Sequence, residues 1–426
     1  MAQKRPRIVV VGAGFGGLYL AQDLARLPVE VTLIDRKNHH VFQPLLYQVA
    51  MAVLSPAEIA SPIRGILSRK KNVSVLLGEV TDFDLAKKVV IVREFDLPVE
   101  FDYLVIAAGV GHAYFGHDEW AEAAPGLKTI EDALEIRRRV LLAFEKAERM
   151  AALHGMTDPL NFVVIGAGPT GVELAGAISD IAKRVMVHDF RSIDPKQARV
   201  ILLEGGPRVL AAYTPDLSAK AEKQLRDLGV EVRTQTMVTG VEPHQVRARF
   251  KDASGVQKEE IIPSAVTLWA AGVAASPLGK KLGVATDRAG RVTVNEDTSI
   301  PGDRNVFVIG DLAHFEPSPG TALPGVAQVA IQMGRFVARQ IARDLRGQPR
   351  ETFHYVDKGS MATIGKSKAI ADVWGLKLSG YPAWLFWLFI HIMFLIGHRN
   401  RFAVMWEWAW AYVRHQSSAR LITDKR

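Results

Sequence analysis

Two glycine-rich loops in this chain have the residue types and spacing that bind a pyrophosphate group. They are "GAGFGG" at residues 12–17 and "GAGPTG" at residues 166–171, and both match the pattern GxGxxG. The glycines of that pattern permit a tight turn, a close approach of backbone to phosphate, and close packing of the next helix. The phosphates then lie at a helix N-terminus, where backbone N–H groups and the helix dipole favour negative charge.

Each loop lies between a predicted strand and a predicted helix. The preceding segments, "RIVVV" and "NFVVI", are short apolar runs rich in β-branched residues, and the following segments are amphipathic and rich in small residues. A single GxGxxG is weak evidence, but two copies in the same strand–loop–helix context argue against coincidence. We therefore predict an α/β protein with two Rossmann-like dinucleotide-binding domains.

An acidic residue ends the next predicted strand after each loop. Asp35 closes "VEVTLID", and Glu204 closes "ARVILLE" after a polar insert that delays it beyond the usual spacing of about 20 residues. Either carboxylate can accept a hydrogen bond from a ribose hydroxyl; an exposed strand-end residue is the alternative. A carboxylate at Glu204 would repel a 2′-phosphate, so the second domain is predicted to prefer NADH over NADPH.

Other predicted strands end in small or acidic residues that suit contact with a ligand. "FDYLVIAAG" ends at Ala108 and Gly109, "AVTLWAAG" ends at Gly272, and "NVFVIGD" ends at Asp311. A missing side chain lets the backbone meet a ligand edge. Asp311 is predicted to bind a ribityl or pyrophosphate oxygen, with a helix N-cap as the alternative.

The composition excludes several kinds of chemistry. The 426 residues include no cysteine, so structural disulfides, thiolate metal sites, redox-active CxxC pairs and cysteine nucleophiles are excluded. Any electron transfer must therefore use a bound cofactor. His39 and His40 lack an acidic or cysteine companion, so no metal site is predicted. The net charge of +8 comes without a dense basic run, which argues against nucleic acid as a partner.

The C-terminal segment is strongly apolar. Residues 384–396, "WLFWLFIHIMFLI", contain one polar side chain, His391, and as a helix would cover roughly 20 Å of a hydrocarbon core about 30 Å thick. Arg399 and Arg401 follow where lipid phosphates would lie, and a tryptophan-rich segment comes next. We predict two helices lying in one leaflet; a buried helix pair and a short span are the alternatives. Seven Lys/Arg against two acids from residue 377 onward would attract anionic lipid.

Several longer segments resemble one family of flavoproteins. The segments are "NHHVFQPLLYQVA", "GAGPTGVELAGA", "DFRSIDP", "AQVAIQMG", "GSMATIG" and "GHRNRFAVMWEWAWAYV". They resemble the two-dinucleotide-binding-domain flavoproteins and, more narrowly, type II NADH dehydrogenase, the single-subunit NADH:quinone oxidoreductase. The resemblance implies FAD on the first fold and NADH on the second. It also implies a FAD-binding domain at 1–115 and 286–350, an inserted NADH-binding domain at 116–285, and a membrane-anchoring region at 351–426.

The resemblance further implies a quinone site and a proton donor. Gln328 and Gln332 stand four apart on one predicted helical face, and neutral amides can bind quinone carbonyls without burying a charge. Pro324 is predicted in the first turn of that helix, whose N-terminus would stabilise negative charge on the flavin. Glu173 faces the flavin and quinone region in the resembled family and is proposed there to handle protons. A carboxylate in the first turn of a helix is otherwise explained by the helix dipole.

The predicted site residues come from both folds. For FAD they are Gly12, Gly14, Phe15, Gly16, Gly17, Asp35, Arg36, Val80, Ala108, Gly109, Asp311, Ala327 and Gln328; for NADH they are Gly166, Gly168, Pro169, Thr170, Gly171, Glu204 and Gly272. The predicted catalytic residues are Glu173, Gln328 and Gln332. The family's quinone-site lysine has no clear match in this sequence.

The expected activity is electron transfer from NADH through FAD to a membrane quinone. Proton pumping is not expected, because no chain of ionisable residues crosses the apolar segment. We expect a peripheral or monotopic protein at the cytoplasmic face of the plasma membrane, and a homodimer is left open. Two alternatives remain: a soluble NADH-dependent reductase of a small iron–sulfur carrier, which would not need the tail, and a non-catalytic NADH-sensing flavoprotein.

Overall fold

The computed structural model describes residues 5–156, 159–414 and 419–422. The described residues divide into two compact units. Unit 1 comprises the described parts of Met1–Val41, Ala60–Gly111 and Val273–Asp357. Unit 2 comprises those of Phe42–Ile59, His112–Gly272 and Lys358–Arg426.

The core of unit 1 is a six-stranded sheet. Its strands run in the order Ser299–Ile300, Asp303–Val308, Tyr103–Ile106, Arg7–Val11, Glu30–Asp35 and Val73–Leu77. Neighbouring strands are parallel except for the outermost pair, Ser299–Ile300 with Asp303–Val308. The central strands are apolar and almost wholly buried, as expected for a parallel sheet that is covered on both faces.

Two helices of unit 1 cross with their backbones in close contact. The first glycine helix is Phe15–Leu24, and the glutamine helix is Ala327–Leu345. A Cβ atom at Gly334 would lie 2.4 Å from the carbonyl oxygen of Gly16, so only glycine fits at the crossing. A Cβ atom at Gly16 would lie 3.3 Å from the carbonyl oxygen of Ala330. Small residues therefore set the separation of these helices.

Shorter elements complete unit 1. They are the antiparallel sheet Val80–Asp84, Val89–Val92 and Val99–Glu100, the paired strands His39–Val41 with Ala60–Pro62 and Val292–Thr293 with Ala313–His314, the helix Ile63–Leu67, and the 3-10 turns Pro277–Leu282 and Gly310–Leu312. The strands Val110–His112 and Val273–Ala275 also pair.

Unit 2 is built on a four-stranded parallel sheet. Its strands run in the order Val230–Arg233, Arg199–Leu203, Asn161–Ile165 and Val266–Trp269. The second glycine helix, Pro169–Asp180, continues as a π-helical turn, Ile181–Val185. The other elements are the helices Trp120–Ala123, Ile130–His154 and Pro215–Asp227, the 3-10 turn Pro195–Gln197, and the antiparallel strands Met237–Glu242, Gln245–Lys251 and Gln257–Pro263.

The C-terminal part of unit 2 packs directly on the second glycine helix. Strands Ser360–Gly365, Lys368–Val373 and Leu376–Ser379 form an antiparallel sheet. A Cβ atom at Gly176 would lie 1.6 Å from the carbonyl oxygen of Ile364, so the helix and the strand are in backbone contact. This contact places the C-terminal sheet beside the helix that carries Glu173.

The segment Phe42–Ile59 also belongs to unit 2. It contains the 3-10 turn Gln43–Leu45 and the helices Leu46–Ala50 and Pro56–Ile59. The buried guanidinium of Arg137 donates hydrogen bonds to the carbonyl oxygens of Val49, at 2.6 Å and 2.8 Å, and Leu54, at 2.8 Å. The helix Ile130–His154 therefore holds this segment in place.

Two C-terminal helices, Tyr381–Phe394 and His398–Arg414, each expose an apolar face. The exposed large side chains are Tyr381, Leu385, Phe389 and Met393 on the first helix, and Phe402, Met405, Trp406 and Trp410 on the second. A spacing of four residues places such side chains on one face of a helix. No helix among the described residues combines the length and apolarity needed to cross a bilayer. The predicted α/β class with a helical C-terminal segment is confirmed.

The two arginines between these helices differ in their surroundings. Arg401 donates hydrogen bonds to the carbonyl oxygens of Met393, at 2.9 Å, and Leu395, at 2.8 Å. It therefore caps the end of the first C-terminal helix. Its predicted position at lipid phosphates stays a prediction, because these bonds leave the charge of the guanidinium in place. Arg399 is exposed.

Candidate functional site

The first glycine loop has the geometry of a phosphate cradle. Gly12 has a φ of +99°, and a Cβ atom there would lie 2.4 Å from the carbonyl oxygen of Ala107. A Cβ atom at Gly17 would lie 1.9 Å from the carbonyl oxygen of Gly12. Gly14 is different, because no protein atom lies within 4 Å of such a Cβ atom. Two glycines are thus required by the fold and the third faces open space at a helix N-terminus, which fits the diphosphate of FAD.

The second glycine loop repeats this arrangement. Gly166 has a φ of +97°, and its Cβ atom would lie 2.5 Å from the Cα atom of Ala271. A Cβ atom at Gly171 would lie 1.8 Å from the carbonyl oxygen of Gly166, and Gly168 faces open space. Pro169 begins the second glycine helix, where its missing N–H is tolerated. The loop fits the diphosphate of a second dinucleotide.

Asp35 and Glu204 occupy equivalent positions in the two dinucleotide-binding folds. Each carboxylate stabilises the preceding glycine loop through hydrogen bonds to backbone N–H groups. Asp35 accepts hydrogen bonds from the backbone N–H groups of Ala13 at 2.6 Å and Lys37 at 2.7 Å. Glu204 accepts hydrogen bonds from the backbone N–H groups of Ala167 and Gly206, both at 2.7 Å. Carboxylate oxygens can accept more than one hydrogen bond, so this bracing is compatible with the predicted ribose contact.

The other predicted FAD residues lie in unit 1. Gly109 has a φ of +65° and faces open space just after the strand Tyr103–Ile106. Asp311 follows the strand Asp303–Val308, and a Cβ atom at Gly325 would lie 3.3 Å from its carboxyl carbon. Phe15, Gly16, Val80, Ala108 and Ala327 are buried or half-buried, and Arg36 is exposed. Strands Arg7–Val11, Glu30–Asp35, Tyr103–Ile106 and Asp303–Val308 are parallel, so Gly12, Asp35, Gly109 and Asp311 follow the same sheet edge.

The glutamine helix begins later than predicted. Pro324 lies before the helix, which starts at Ala327 after the extended N-cap residue Val326. The backbone N–H of Val326 donates a hydrogen bond to the carbonyl oxygen of Pro324 at 3.0 Å, so a tight turn precedes the helix. The helix has neither a side-chain cap nor an acidic residue in its first turn. Its N-terminus is therefore suited to stabilise negative charge.

The two predicted glutamines have different roles in the structure. The side-chain amide of Gln332 donates to the carbonyl oxygen of Val356 at 2.9 Å and accepts from the N–H of Val356 at 3.0 Å. Both ends of this amide contact the backbone of Val356. An amide NH₂ group has two N–H donors, so the contact of Gln332 with a quinone carbonyl stays a prediction. Gln328 is half-buried at the start of the helix, and its amide forms no hydrogen bond to another described residue.

Glu173 is the fifth residue of the second glycine helix, beyond its first turn. The helix-dipole explanation of this carboxylate is therefore weakened. Its carboxyl group accepts a hydrogen bond from the backbone of Thr363, and burial raises its pKa to about 8. Part of its surface remains accessible. A carboxyl group with this pKa holds a proton at neutral pH and can donate it.

Near Glu173, the side chains of Trp408, Gln48 and Tyr47 are linked in sequence by hydrogen bonds. The Tyr47 hydroxyl accepts a hydrogen bond from Nε2 of Gln48 at 2.9 Å and forms another with the Thr363 side chain. Nε1 of Trp408 donates to Oε1 of Gln48 at 2.7 Å. Burial, and then the negative charge of Glu173, raise the pKa of Tyr47, so the hydroxyl keeps its proton.

The sequence reasoning missed Tyr47 and Gln48. Both stand in the segment "NHHVFQPLLYQVA", and the signal that identifies them is a pair of adjacent polar side chains inside an apolar run. The structure buries both side chains, at 8% and 7% exposed. A buried polar pair needs hydrogen-bond partners, and these come from parts of the chain more than 300 residues away.

Gly272 is covered by a side chain that sequence reasoning also missed. A Cβ atom at Gly272 would lie 2.5 Å from the ring of Phe115, so the ring lies directly over the glycine and would have to move for a larger residue. Phe115 has a φ of +53° and is 69% exposed. The predicted nicotinamide contact at Gly272 therefore has an exposed aromatic ring beside it.

His40 and His391 contribute to the packing of the structure. His40 is buried, donates from Nδ1 to the carbonyl oxygen of Ala13 at 2.9 Å, and meets the Phe15 ring edge-on. His391 donates from Nδ1 to the carbonyl oxygen of Trp387 at 2.7 Å, and burial lowers its pKa to about 4. Within the described ranges, no group of three or more His, Asp or Glu side chains is placed to hold a metal ion.

Comparison with known families and proteins identifies relatives over the whole length of the chain. The pyridine nucleotide-disulphide oxidoreductase family matches residues 6–334, and the NDH2 C-terminal domain matches residues 358–420. The chain is 45% identical to the type II NADH:quinone oxidoreductase NdhA of Mycobacterium tuberculosis, over 99% of this chain and 90% of that protein. It is 30% identical to the type II NADH:quinone oxidoreductase of Staphylococcus aureus, over 90% of this chain and 93% of that protein.

A solved structure shares the fold. The structure of NDH2 from Plasmodium falciparum in complex with NADH aligns with a TM-score of 0.87, covering 99% of this chain and all of that one. The sequence identity is 20%, so this likeness concerns the fold alone.

Proposed function

Because this chain belongs to the type II NADH:quinone oxidoreductases, we propose that it transfers electrons from NADH through FAD to a membrane quinone. The net reaction is NADH + H⁺ + quinone → NAD⁺ + quinol. The observation that carries this function is the pair of equivalent glycine loops, one in each unit, each braced by its own carboxylate. FAD, when bound, supplies the ring that accepts a hydride from NADH and passes two electrons to the quinone.

Each loop is assigned one dinucleotide. Gly12, Gly14 and Gly17 would hold the FAD diphosphate, with Asp35 at the ribose and Asp311 near the pyrophosphate or ribityl chain. Gly166, Gly168 and Gly171 would hold the NADH diphosphate, with Glu204 at the ribose. The Glu204 carboxylate repels a 2′-phosphate, so NADH is the preferred donor.

Proton delivery is assigned to Glu173. Quinol formation takes up two protons, whereas NADH brings only one hydrogen with its two electrons. Burial raises the pKa of Glu173 to about 8, so this side chain holds a proton at neutral pH and is suited to supply one. Gln328 is assigned to bind a quinone carbonyl through its amide N–H, since its side chain forms no bond to another described residue. Gln332 supports the backbone at Val356.

Membrane attachment is assigned to the exposed apolar faces of the helices Tyr381–Phe394 and His398–Arg414. A long-tailed quinone stays in the bilayer. The enzyme must therefore reach the membrane surface to reduce it. Attraction to anionic lipid, the cytoplasmic face and a homodimer remain predictions. So do the domain limits 1–115 and 286–350 for FAD, 116–285 for NADH, and 351–426 for the membrane anchor.

The test is quinone reduction by the purified protein, with and without phospholipid, and with NADH or NADPH. We expect a yellow protein with a flavin spectrum, millisecond bleaching by NADH, prompt reoxidation by quinone, and a kcat/KM for NADH at least about tenfold above that for NADPH. Absence of flavin would end the proposal. Slow bleaching with a long-lived charge-transfer band would favour the non-catalytic sensor, and reduction of an iron–sulfur carrier without quinone reduction would favour the soluble reductase.

A further inference from the structure

A basic cavity lies in unit 2, where the end of the second glycine helix meets the helix Pro215–Asp227 and the C-terminal sheet. Its volume is about 630 Å³, which is within the range of pockets that hold small ligands. Among the described residues that line it, five side chains are cationic and one is a carboxylate. They are Arg184, Lys220, Lys223, Lys366, Lys368 and Asp227. This composition indicates a site for an anion.

The π-helical turn Ile181–Val185 brings Arg184 to the cavity. Nζ of Lys183 donates hydrogen bonds to two carbonyl oxygens just after the helix Pro215–Asp227, at 3.0 Å and 3.1 Å, and so fastens the turn to that helix. Arg184 is the next residue, and its Nη1 lies 3.2 Å from Oδ1 of Asp180. Such π-helical turns are frequent at functional sites, because the extra residue changes where side chains point.

A turn of the C-terminal sheet brings the lysines from the opposite side. Lys366 and Ser367 precede the strand Lys368–Val373. The backbone N–H of Lys366 donates a hydrogen bond to Oδ2 of Asp180 at 2.9 Å, so one carboxylate holds both this turn and Arg184. Ser367 has a φ of +63°, and its side chain also lines the cavity. The arginine and the lysine turn are therefore fixed on the same carboxylate.

The cations outnumber the carboxylates that neutralise them. Lys223 and Lys368 share the carboxylate of Asp227, at N–O distances of 3.0 Å and 3.6 Å. Lys220 pairs with Asp216 at 2.9 Å. Together with the carboxylate beside the arginine, three acidic groups face five cations, which leaves two positive charges. An anion with about two negative charges would complement this excess.

Repulsion between like charges is present within the cavity. Burial, and then the positive charge of Arg184, lower the pKa of Lys366, while the charge of Asp180 opposes this. An anion placed between the two cations would relieve the repulsion and raise that pKa.

The cavity is separate from the second glycine loop. The loop lies at the N-terminus of the helix Pro169–Asp180, whereas Arg184 lies beyond the other end of this helix. Gly168 and Arg184 are 16 residues apart, and a rise of about 1.5 Å per residue separates them by roughly 20 Å. A diphosphate held by the glycine loop would therefore lie outside the cavity.

Phosphate is the anionic group that suits these side chains. A guanidinium group binds phosphate oxygens through two parallel N–H donors, and lysines add positive charge. The hydroxyl groups of Ser367 and Ser379, which also line the cavity, can donate to further oxygens. A phosphate monoester carries a charge of about −1.5 to −2 at neutral pH, which matches the excess. A lipid with two headgroup phosphates has a similar charge and binds basic pockets in other proteins.

We propose that this cavity is a phosphate-binding site, in which Arg184, Lys366 and Lys368 hold a ligand with about two negative charges. The phosphate belongs either to a soluble monoester or to a lipid headgroup. Gly380 also lines the cavity and is the N-cap of the helix Tyr381–Phe394, whose exposed apolar face is the proposed membrane contact. The inference goes beyond the proposed function, because no step of the electron transfer uses these residues.

The test measures the binding of two probes to the FAD-loaded full-length protein. Saturating NAD⁺ is present, so that the second glycine loop is occupied. The soluble probe is glycerol phosphate, followed by calorimetry. The lipid probe is a phosphatidylcholine vesicle that contains cardiolipin, followed by cosedimentation and compared with a vesicle of phosphatidylcholine alone.

We expect Lys366→Gln/Lys368→Gln to weaken the binding of one probe about tenfold, because two partly exposed charge contacts are lost. Lys87→Gln/Lys88→Gln is the matched control. It removes the same charge from two exposed positions in unit 1 and should bind both probes as the wild type does. Weaker binding of glycerol phosphate identifies a soluble phosphate compound as the ligand, and a loss confined to cardiolipin vesicles identifies the lipid.

Protection of lysines in the wild-type protein gives a second measurement that needs no variant. Acylation by an amine reagent, read by mass spectrometry, should be slowed at Lys366 and Lys368 by the bound probe and unchanged at Lys87. Equal losses of binding in the two double variants, or no protection of Lys366 and Lys368 by either probe, would overturn the inference. NADH oxidation by a soluble quinone should be unchanged in both variants, so a failed phosphate site and a failed electron-transfer function are distinguishable.

Discussion

Glu173 is held by the fold as a carboxylic acid at neutral pH. Burial raises its pKa from 4.5 to about 8, and the hydrogen bond from Thr363 only partly opposes this. Below about pH 4.5 the group is protonated in the folded and unfolded chains alike. Between about pH 4.5 and 8 the unfolded chain loses this proton while the folded one keeps it, so stability falls as pH rises through this window and levels off above about 8.

We expect Glu173→Gln to remove this dependence. Its free energy of unfolding, measured by urea titration, should fall less between about pH 5 and 8 than that of the wild type, by at most about 5 kcal/mol. Quinone reduction should drop about a hundredfold or more and lose its alkaline limb, because the variant has no proton to release. Flavin bleaching by NADH serves as the control and should be unaffected. A variant that retains the wild-type alkaline decline would contradict the assignment.

At the scale of residues, the sequence predicts where the site residues lie in the strands and helices better than it predicts their hydrogen-bond partners. Asp35 and Glu204 are found at strand ends as predicted, but their contacts with the N–H groups of Ala13 and Ala167 are set by loop geometry. The pairing of Gln332 with Val356 joins a residue of the glutamine helix to one 24 positions later, in the irregular segment that follows this helix, and no helical periodicity encodes it. Long-range hydrogen bonds of this kind depend on tertiary packing.

The contact between the second glycine helix and the strand Ser360–Gly365 is the element-scale feature that assembles the Glu173 region. The carbonyl oxygen of Ile364 occupies the space that a side chain at Gly176 would need. Because Thr363 is next to Ile364 in sequence, the same contact places the Thr363 backbone at the Glu173 carboxyl group. One glycine therefore determines the surroundings of Glu173.

We predict that Gly176→Ala destabilises the protein and alters this region. A Cβ atom 1.6 Å from a backbone oxygen forces the helix and the strand apart, which should cost about 3 kcal/mol or more. Thermal unfolding would measure the loss. Gly65→Ala is the matched control, because its Cβ atom would lie 3.8 Å from the nearest atom, Cβ of Pro62, within the helix Ile63–Leu67. That change should be neutral or stabilise by up to about 1 kcal/mol. Equal effects of the two changes would refute the argument.

At the scale of elements, strongly patterned segments were predictable and irregular ones were not. Both strand–loop–helix segments follow from β-branched runs and glycine spacing. The glutamine helix starts three residues after Pro324, because a turn at Pro324–Val326 precedes it. Packing of the segment Phe42–Ile59 in unit 2 depends on the buried Arg137, whose role in capping two distant carbonyl groups has no local sequence signature.

At the scale of the whole molecule, the two glycine loops and the two C-terminal helices have surfaces that suit different environments. Each unit carries a glycine loop suited to a water-soluble dinucleotide. The C-terminal helices expose Leu385, Phe389, Phe402 and Trp406, while Trp387 and Val404 on other faces are buried. Exposed large apolar side chains on one face are unfavourable in water and favourable at a lipid surface. The helix that exposes Phe402 and Trp406 also carries Trp408 toward Gln48.

We expect the double change Leu385→Gln/Phe389→Gln to weaken binding to phospholipid vesicles by about tenfold to a hundredfold. These side chains are 46% and 61% exposed, and moving the exposed part of each from water to lipid contributes about 1 kcal/mol. Cosedimentation with vesicles measures the binding. Reduction of a long-chain quinone held in the vesicles should fall in parallel, whereas reduction of a soluble short-chain quinone should not. Leu97→Gln, which alters a leucine in unit 1 that is 78% exposed, is the control and should bind normally. Unchanged vesicle binding by the double variant would mean that these helices do not attach the enzyme to the membrane.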